Sequence, residues 1–64
     1  MEYKFKLFEA MRGANLRQRD FAKIIGESES KVSLVVNGKY NLSPAEQIKW
    51  ARALGKPQEE LFAD

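Results

Sequence analysis

Apolar residues in this 64-residue chain recur three and four positions apart, and no stretch alternates at period two for long. That spacing marks amphipathic helices, whose side chains advance by about 100° per residue. Gly13, Gly26, Gly38, Gly55, Pro44 and Pro57 cut the pattern into segments. The first, Phe5 to Ala14, places Leu7, Phe8, Met11 and Ala14 on one side, with Gly13 and Asn15 as stop signals. The second, Arg17 to Ile25, sets Phe21, Ala22, Ile24 and Ile25 opposite Arg19 and Lys23, and Gly26 suits the left-handed position past its end. The third, Glu29 to Val36, follows Ser28 as N-cap and turns Val32, Val35 and Val36 inward before Asn37-Gly38 ends it. Valine is a poor helix former, so packing must hold this segment.

The fourth segment has the strongest start signal. Ser43-Pro44-Ala45-Glu46 combines an N-cap serine, a proline at the first helical position and a capping-box glutamate. Ala45, Ile48, Ala51 and Leu54 form its stripe, Trp50 sits on the edge of that stripe, and Gly55 stops it. A fifth short turn, Pro57 to Phe62, brings Leu61 and Phe62 back over the core. These elements predict an all-α class: a five-helix bundle forming a single domain over residues 1–64. There is no internal repeat or low-complexity tract. Tyr3 and Phe5 either cover the bundle or extend as an arm.

Composition narrows the chemistry. With no cysteine and no histidine, disulfides, thiolate metal sites, cysteine nucleophiles and the commonest general base are excluded. Asp20, Glu27 and Glu29 are the best carboxylate cluster on offer, but no phosphate-cradling glycine loop or metal-ligand spacing accompanies them. An enzyme, a cofactor, a metal and a small-molecule ligand are therefore not expected. No apolar run approaches the roughly 20 residues that span a bilayer. Met1-Glu2-Tyr3-Lys4-Phe5-Lys6 is too charged for a secretory signal, which points to the cytoplasm. The net charge is only +2, but it is unevenly spread. Residues 1–41 carry eight basic against five acidic side chains (+3), and residues 42–64 three against four (−1), so an anionic partner should meet the first two-thirds.

Leu16 to Lys39 is the informative stretch. Two short helices joined by Gly26-Glu27-Ser28 have the arrangement of a DNA-binding helix-turn-helix. Ala22 is small where the helices cross, and Val32 and Val35 anchor the second helix on the first. At 100° per residue, Ser30, Ser33, Leu34 and Asn37 lie opposite the valines, with Lys31 beside them and Ser28 and Glu29 at the N-terminal end. Such a face is trimmed for close approach. Serine hydroxyls contact phosphates or base edges, Glu29 can accept from a cytosine amino group, and Leu34 suits a thymine methyl. Lys31 can serve a phosphate or a guanine, and the helix N-terminus can hold a phosphate.

Gln18-x-x-Phe21-Ala22-x-x-x-Gly26, followed by Ser28-x-x-x-Val32-Ser33-x-x-x-Asn37-Gly38, resembles the lambda-repressor-like helix-turn-helix family, which includes phage repressors and Cro proteins. Ala51-x-Ala53-Leu54-Gly55 and Leu61-Phe62 are similar to that family's closing segment, so the resemblance runs from about Leu7 to Phe62. It implies a sequence-specific transcriptional regulator, a repressor or Cro-like protein, that docks its third helix in the major groove of double-stranded DNA. It also implies a homodimer, at least on DNA, bound to a palindromic operator. Carried over by position, Gln18 is a phosphate or base-edge contact. Ser28, Glu29, Ser30, Ser33 and Leu34 face bases, while Asn37 and Lys39 lie in a loop against the backbone. Arg17 stands where the family has a capping serine, threonine or asparagine, and exchanges that cap for a phosphate contact. Glu29 replaces an amide, and Lys56 replaces an apolar residue. Met11 and Val36 take the places of an arginine–glutamate pair, an apolar substitute for a buried ion pair. The alternative function is a protein–protein interaction module or antitoxin-type partner on the same fold.

Overall fold

Helices form where the apolar spacing places them. The structure, a computed structural model, describes residues 4–62 and contains five helices there: α1 (Phe5–Gly13), α2 (Gln18–Ile25), α3 (Glu29–Val36), α4 (Pro44–Leu54) and α5 (Gln58–Phe62). Tyr3 lies outside the described residues, and Phe5 is largely exposed.

The start signals act through the hydrogen bonds their side chains allow. Ser28 Oγ accepts from the Lys31 N–H at 3.1 Å, capping α3. At α4 the box is complete: Ser43 Oγ accepts from the Glu46 N–H at 3.3 Å, and Glu46 Oε1 accepts from the Ser43 N–H at 3.0 Å. Arg17 precedes α2 and has no side-chain acceptor to offer, so only half a box forms: Asp20 Oδ2 accepts from the Arg17 N–H at 3.3 Å.

The ends of α1 to α4 share one closure, in which an amide reaches back five residues and the amide before it reaches back three. At α1 these are Leu16 N–H to Met11 O (2.9 Å) and Asn15 N–H to Arg12 O (2.9 Å). Gly13 stays helical, while Asn15 takes the left-handed conformation at φ 60°. At α2, Gly26 takes it at φ 72°, and Glu27 N–H reaches Ala22 O at 2.9 Å. That turn redirects the chain into α3.

One apolar core draws on all five helices and the loop before α4. It contains Leu7, Met11, Phe21, Ala22, Ile25, Val32, Val35, Val36, Leu42, Trp50, Ala51 and Leu61. No polar or charged residue is buried among the described residues. Met11 and Val36 are both in this core, so the position of the family's charged pair is apolar here. α2 packs most extensively on α3, and α5 closes over α1 and α4. The Lys4 N–H donates to Val36 O at 2.7 Å, tying the chain before α1 to the end of α3.

Five apolar positions depart from the sequence expectation. Trp50, expected at the edge of the α4 stripe, is fully buried, with its ring edge-on to Phe21 at 5.5 Å and 80°. Ile48 is 43% exposed and Ala45 is exposed, while Ile24 is 57% exposed rather than inside α2. Both isoleucines lie about 110° from the centre of their helix's buried face at 100° per residue. The buried face of α4 centres on the indole because an aromatic ring has the most apolar surface to remove from water. The cost is local: Trp50 Nε1 has no hydrogen-bond partner. Ala14 is exposed past the end of α1 rather than on its inner face.

Candidate nucleic-acid interface

The buried face of α2 (Phe21, Ala22 and Ile25) meets the buried face of α3 (Val32, Val35 and Val36). With the valines committed to the core, the opposite side of α3 is exposed. Glu29 and Ser30 are exposed, Ser33 is half-buried, and Leu34 is 42% exposed. Gln18, half-buried in the first turn of α2, joins these four residues in lining one shallow open concavity. Five of the ten expected site residues thus converge on one surface, drawn from two helices.

The others occupy distinct places. Arg17 is exposed immediately before Gln18 and is free of the capping role its position usually carries. Ser28 is exposed, but its Oγ is occupied as the α3 cap. Asn37 ends α3 with its Nδ2 donating to Ser33 O at 2.9 Å and Ser33 Oγ at 3.3 Å. Lys39 is exposed in the loop that follows.

Lys31 is the exception. Its side chain turns away from the concavity and toward α4, where Nζ donates to Glu46 Oε2 at 2.8 Å and lies 3.5 Å from Glu27 Oε2. The ammonium also sits over the face of Tyr40, 5.1 Å from the ring centroid. The hydrogen bond from Lys31, followed by those from Ser43, pulls the Glu46 carboxyl down to about 2, and the same bond raises the Lys31 pKa. Lys31, expected to face a phosphate or a guanine, thus has its ammonium partnered within the fold rather than on the concavity. Glu27 and Lys31 are four residues apart, a visible pairing signal. Glu46, fifteen residues from Lys31, was legible only as a capping residue.

Leu42 is the apolar anchor of the 37–43 loop, and a second polar relay holds its carbonyl. Gln58 Nε2 donates to Gln47 Oε1 at 2.8 Å, and Gln47 Nε2 donates to Leu42 O at 3.2 Å. No sequence signal marked that relay.

The concavity presents an amide, two hydroxyls, one carboxylate and one leucine side chain. It has no lysine or arginine among its lining residues. Such a surface can hydrogen-bond and make apolar contact at close range; bulk attraction for an anion must come from Arg17, Lys39 and other exposed basic residues around it. Among the described residues, no three carboxylates are grouped to hold a metal ion, and no helix is long and apolar enough to cross a membrane.

An exposed helix held against its neighbour through a glycine turn, within a five-helix bundle, defines a helix-turn-helix domain. A family model described as helix-turn-helix matches residues 7–61. The chain belongs to that lambda-repressor-like family, which makes it a DNA-binding helix-turn-helix domain with double-stranded DNA as its partner. Neither the comparison with curated proteins nor that with solved structures gives a match.

Proposed function

We propose that this chain is a sequence-specific transcriptional regulator, a repressor or Cro-like protein of the cytoplasm, that sets α3 in the major groove. One observation carries the reading: Gln18 from α2 and Glu29, Ser30, Ser33 and Leu34 from α3 converge on a single exposed concavity. Short hydroxyl and amide groups reach base edges that long side chains would hold at a distance. Glu29 accepts from a cytosine amino group, and Leu34 covers a thymine methyl. Arg17, Asn37 and Lys39 meet the phosphates on either side, fixing register without reading sequence. The site has no catalytic role and needs no cofactor.

A helix of eight residues reads few base pairs, so the chain binds as a homodimer on a palindromic operator, doubling the sequence information. Selection from a random duplex library tests this directly. An enriched inverted repeat, with half-sites about one helical turn apart (roughly 34–36 Å), is expected. Recovery of no duplex that binds more tightly than random DNA overturns the reading.

A further inference from the structure

Four parts of the chain meet at the Lys31 ammonium. Lys31 is in the first turn of α3, two residues after Glu29 and one after Ser30 on the reading surface. Its backbone N–H donates to the Ser28 cap, while its Nζ donates to Glu46 Oε2. The other oxygen of that carboxylate, Oε1, accepts from the Ser43 N–H at the start of α4. Glu27 reaches the ammonium from the α2–α3 turn, and the Tyr40 ring faces it from the 37–43 loop. Every other anchor of α3 on the core is a valine. Apolar contacts are non-directional, so they set how deeply a helix sits but only weakly set its rotation about its own axis. Charge-assisted hydrogen bonds are directional and restrain that rotation.

We infer that Lys31 is a positioning residue: through its hydrogen bond to Glu46 it orients the reading face of α3 relative to α4 and the α2 residues beside it, and neither Lys31 nor Glu46 touches DNA. This role rests on the reading of α3 as the base-contacting helix. A rotation of α3 moves Glu29, Ser30, Ser33 and Leu34 together, with Lys39 tied to them through its N–H to Leu34 O, while Arg17 and Gln18 stay with α2. Base and phosphate contacts then fall out of register. The clamp therefore acts on the ratio of preferred to random binding rather than on overall attraction for DNA.

The test compares the full chain with Lys31→Gln, Glu46→Gln, the double variant and Lys31→Arg. Each is measured on the selected duplex and on a random duplex across a salt series, with thermal unfolding recorded alongside. Lys31→Gln and Glu46→Gln are each expected to weaken the preferred duplex about five-fold. Random-duplex binding should change by less than about two-fold and the salt slope should stay put, because no phosphate contact is lost. The double variant should be no worse than either single one, and Lys31→Arg should recover most of the loss, since arginine keeps the charge and the donors. A direct phosphate contact gives the opposite pattern. Lys31→Gln would then weaken all duplexes alike and lower the salt slope by about one, while Glu46→Gln would leave binding unchanged or tighter. That result, or a preferred-to-random ratio unchanged in both variants while the unfolding temperature falls, overturns the positioning role. A wild-type chain that prefers no duplex overturns the DNA reading itself, which keeps the two failures distinct.

Discussion

Leu34→Ala separates reading from folding more sharply than any other single change. Leu34 is 42% exposed on α3, while Val32, two residues earlier on the same helix, is fully buried. Burying a whole leucine side chain stabilises by about 1.5–3 kcal/mol, so the covered half of Leu34 contributes at most ~1–1.5 kcal/mol. Alanine's better helix propensity offsets several tenths of that. The net loss of stability should stay under about 1 kcal/mol, a fall of at most roughly 4–8 °C in unfolding temperature for a domain of this size. Val32→Ala removes two methyl groups from the core, costing about 2 kcal/mol or more once the cavity is included, and roughly twice that fall. On DNA the order reverses. Losing the leucine contact should cost about 1–3 kcal/mol at one base pair of each half-site, or roughly 5- to 150-fold at that position. Thermal unfolding of both variants, with competition binding against operators substituted one pair at a time, gives both numbers. The reasoning fails if Leu34→Ala destabilises as much as Val32→Ala, or if its preference at every operator position matches that of the wild type.

Three further outcomes follow from the geometry. Glu46 has a folded-state pKa of about 2, below its ordinary value, so the stability its carboxylate contributes is present above about pH 4.5 and drains away as pH falls from there toward 2. In Glu46→Gln, unfolding temperatures recorded between pH 5 and 2 should show a flatter acid limb; an unchanged limb would mean the Lys31–Glu46 bond is absent in solution. Replacing Arg17 or Lys39 by alanine should weaken preferred and random duplexes alike, each lowering the salt slope by about one, and a change in base preference would move that residue from the backbone to the bases. Gly26→Ala should lower stability by about 1–2 kcal/mol through its left-handed backbone alone, because nothing lies within 4 Å of where its Cβ would stand. Chemical denaturation checks this, and a neutral result would show that the turn relaxes.

The fold was legible wherever a local rule decides the outcome. The Ser28 and Ser43 caps, the proline opening of α4 and the closure at Gly26 each need only a few neighbouring residues, and each forms at its expected position. The errors lie where side-chain size decides. Periodicity weighs Ala45, Ile48 and Trp50 as equal apolar marks, whereas packing weighs area, so the indole takes the core and Ile48 is left at the surface. Ile24 went wrong for the same reason, since Phe21 and Ile25 together already cover α3 from α2. The candidate site was legible in outline because helical phase alone puts residues 30, 33 and 34 together. Gln18 needed the turn geometry to join them, and Lys31 needed a partner on another helix that no spacing rule reaches.

On the proposed reading, the division of roles along α3 accounts for selectivity in a chain of net charge +2. Glu29, Ser30 and Leu34 line the concavity, and none of their side chains has a hydrogen bond or ion pair within the fold among the described residues. Their identities are therefore free to answer to a ligand. Ser33 is less free, since Asn37 Nδ2 donates to both its carbonyl and its hydroxyl. The one lysine of α3, which a non-specific DNA binder would turn toward the phosphates, is instead spent on Glu46. That choice removes a sequence-blind attraction from the middle of the reading surface. On the proposed reading, backbone contact then falls to residues at its edges, Arg17 before α2 and Lys39 after α3. A carboxylate at Glu29 pushes the same way, since it repels phosphate everywhere and gains only where a cytosine amino group faces it. Glu29→Gln should therefore raise affinity for random duplexes and narrow the preference at that base pair. Filter binding on the selected operator and on random DNA measures both, and a loss of affinity for random DNA would refute the argument.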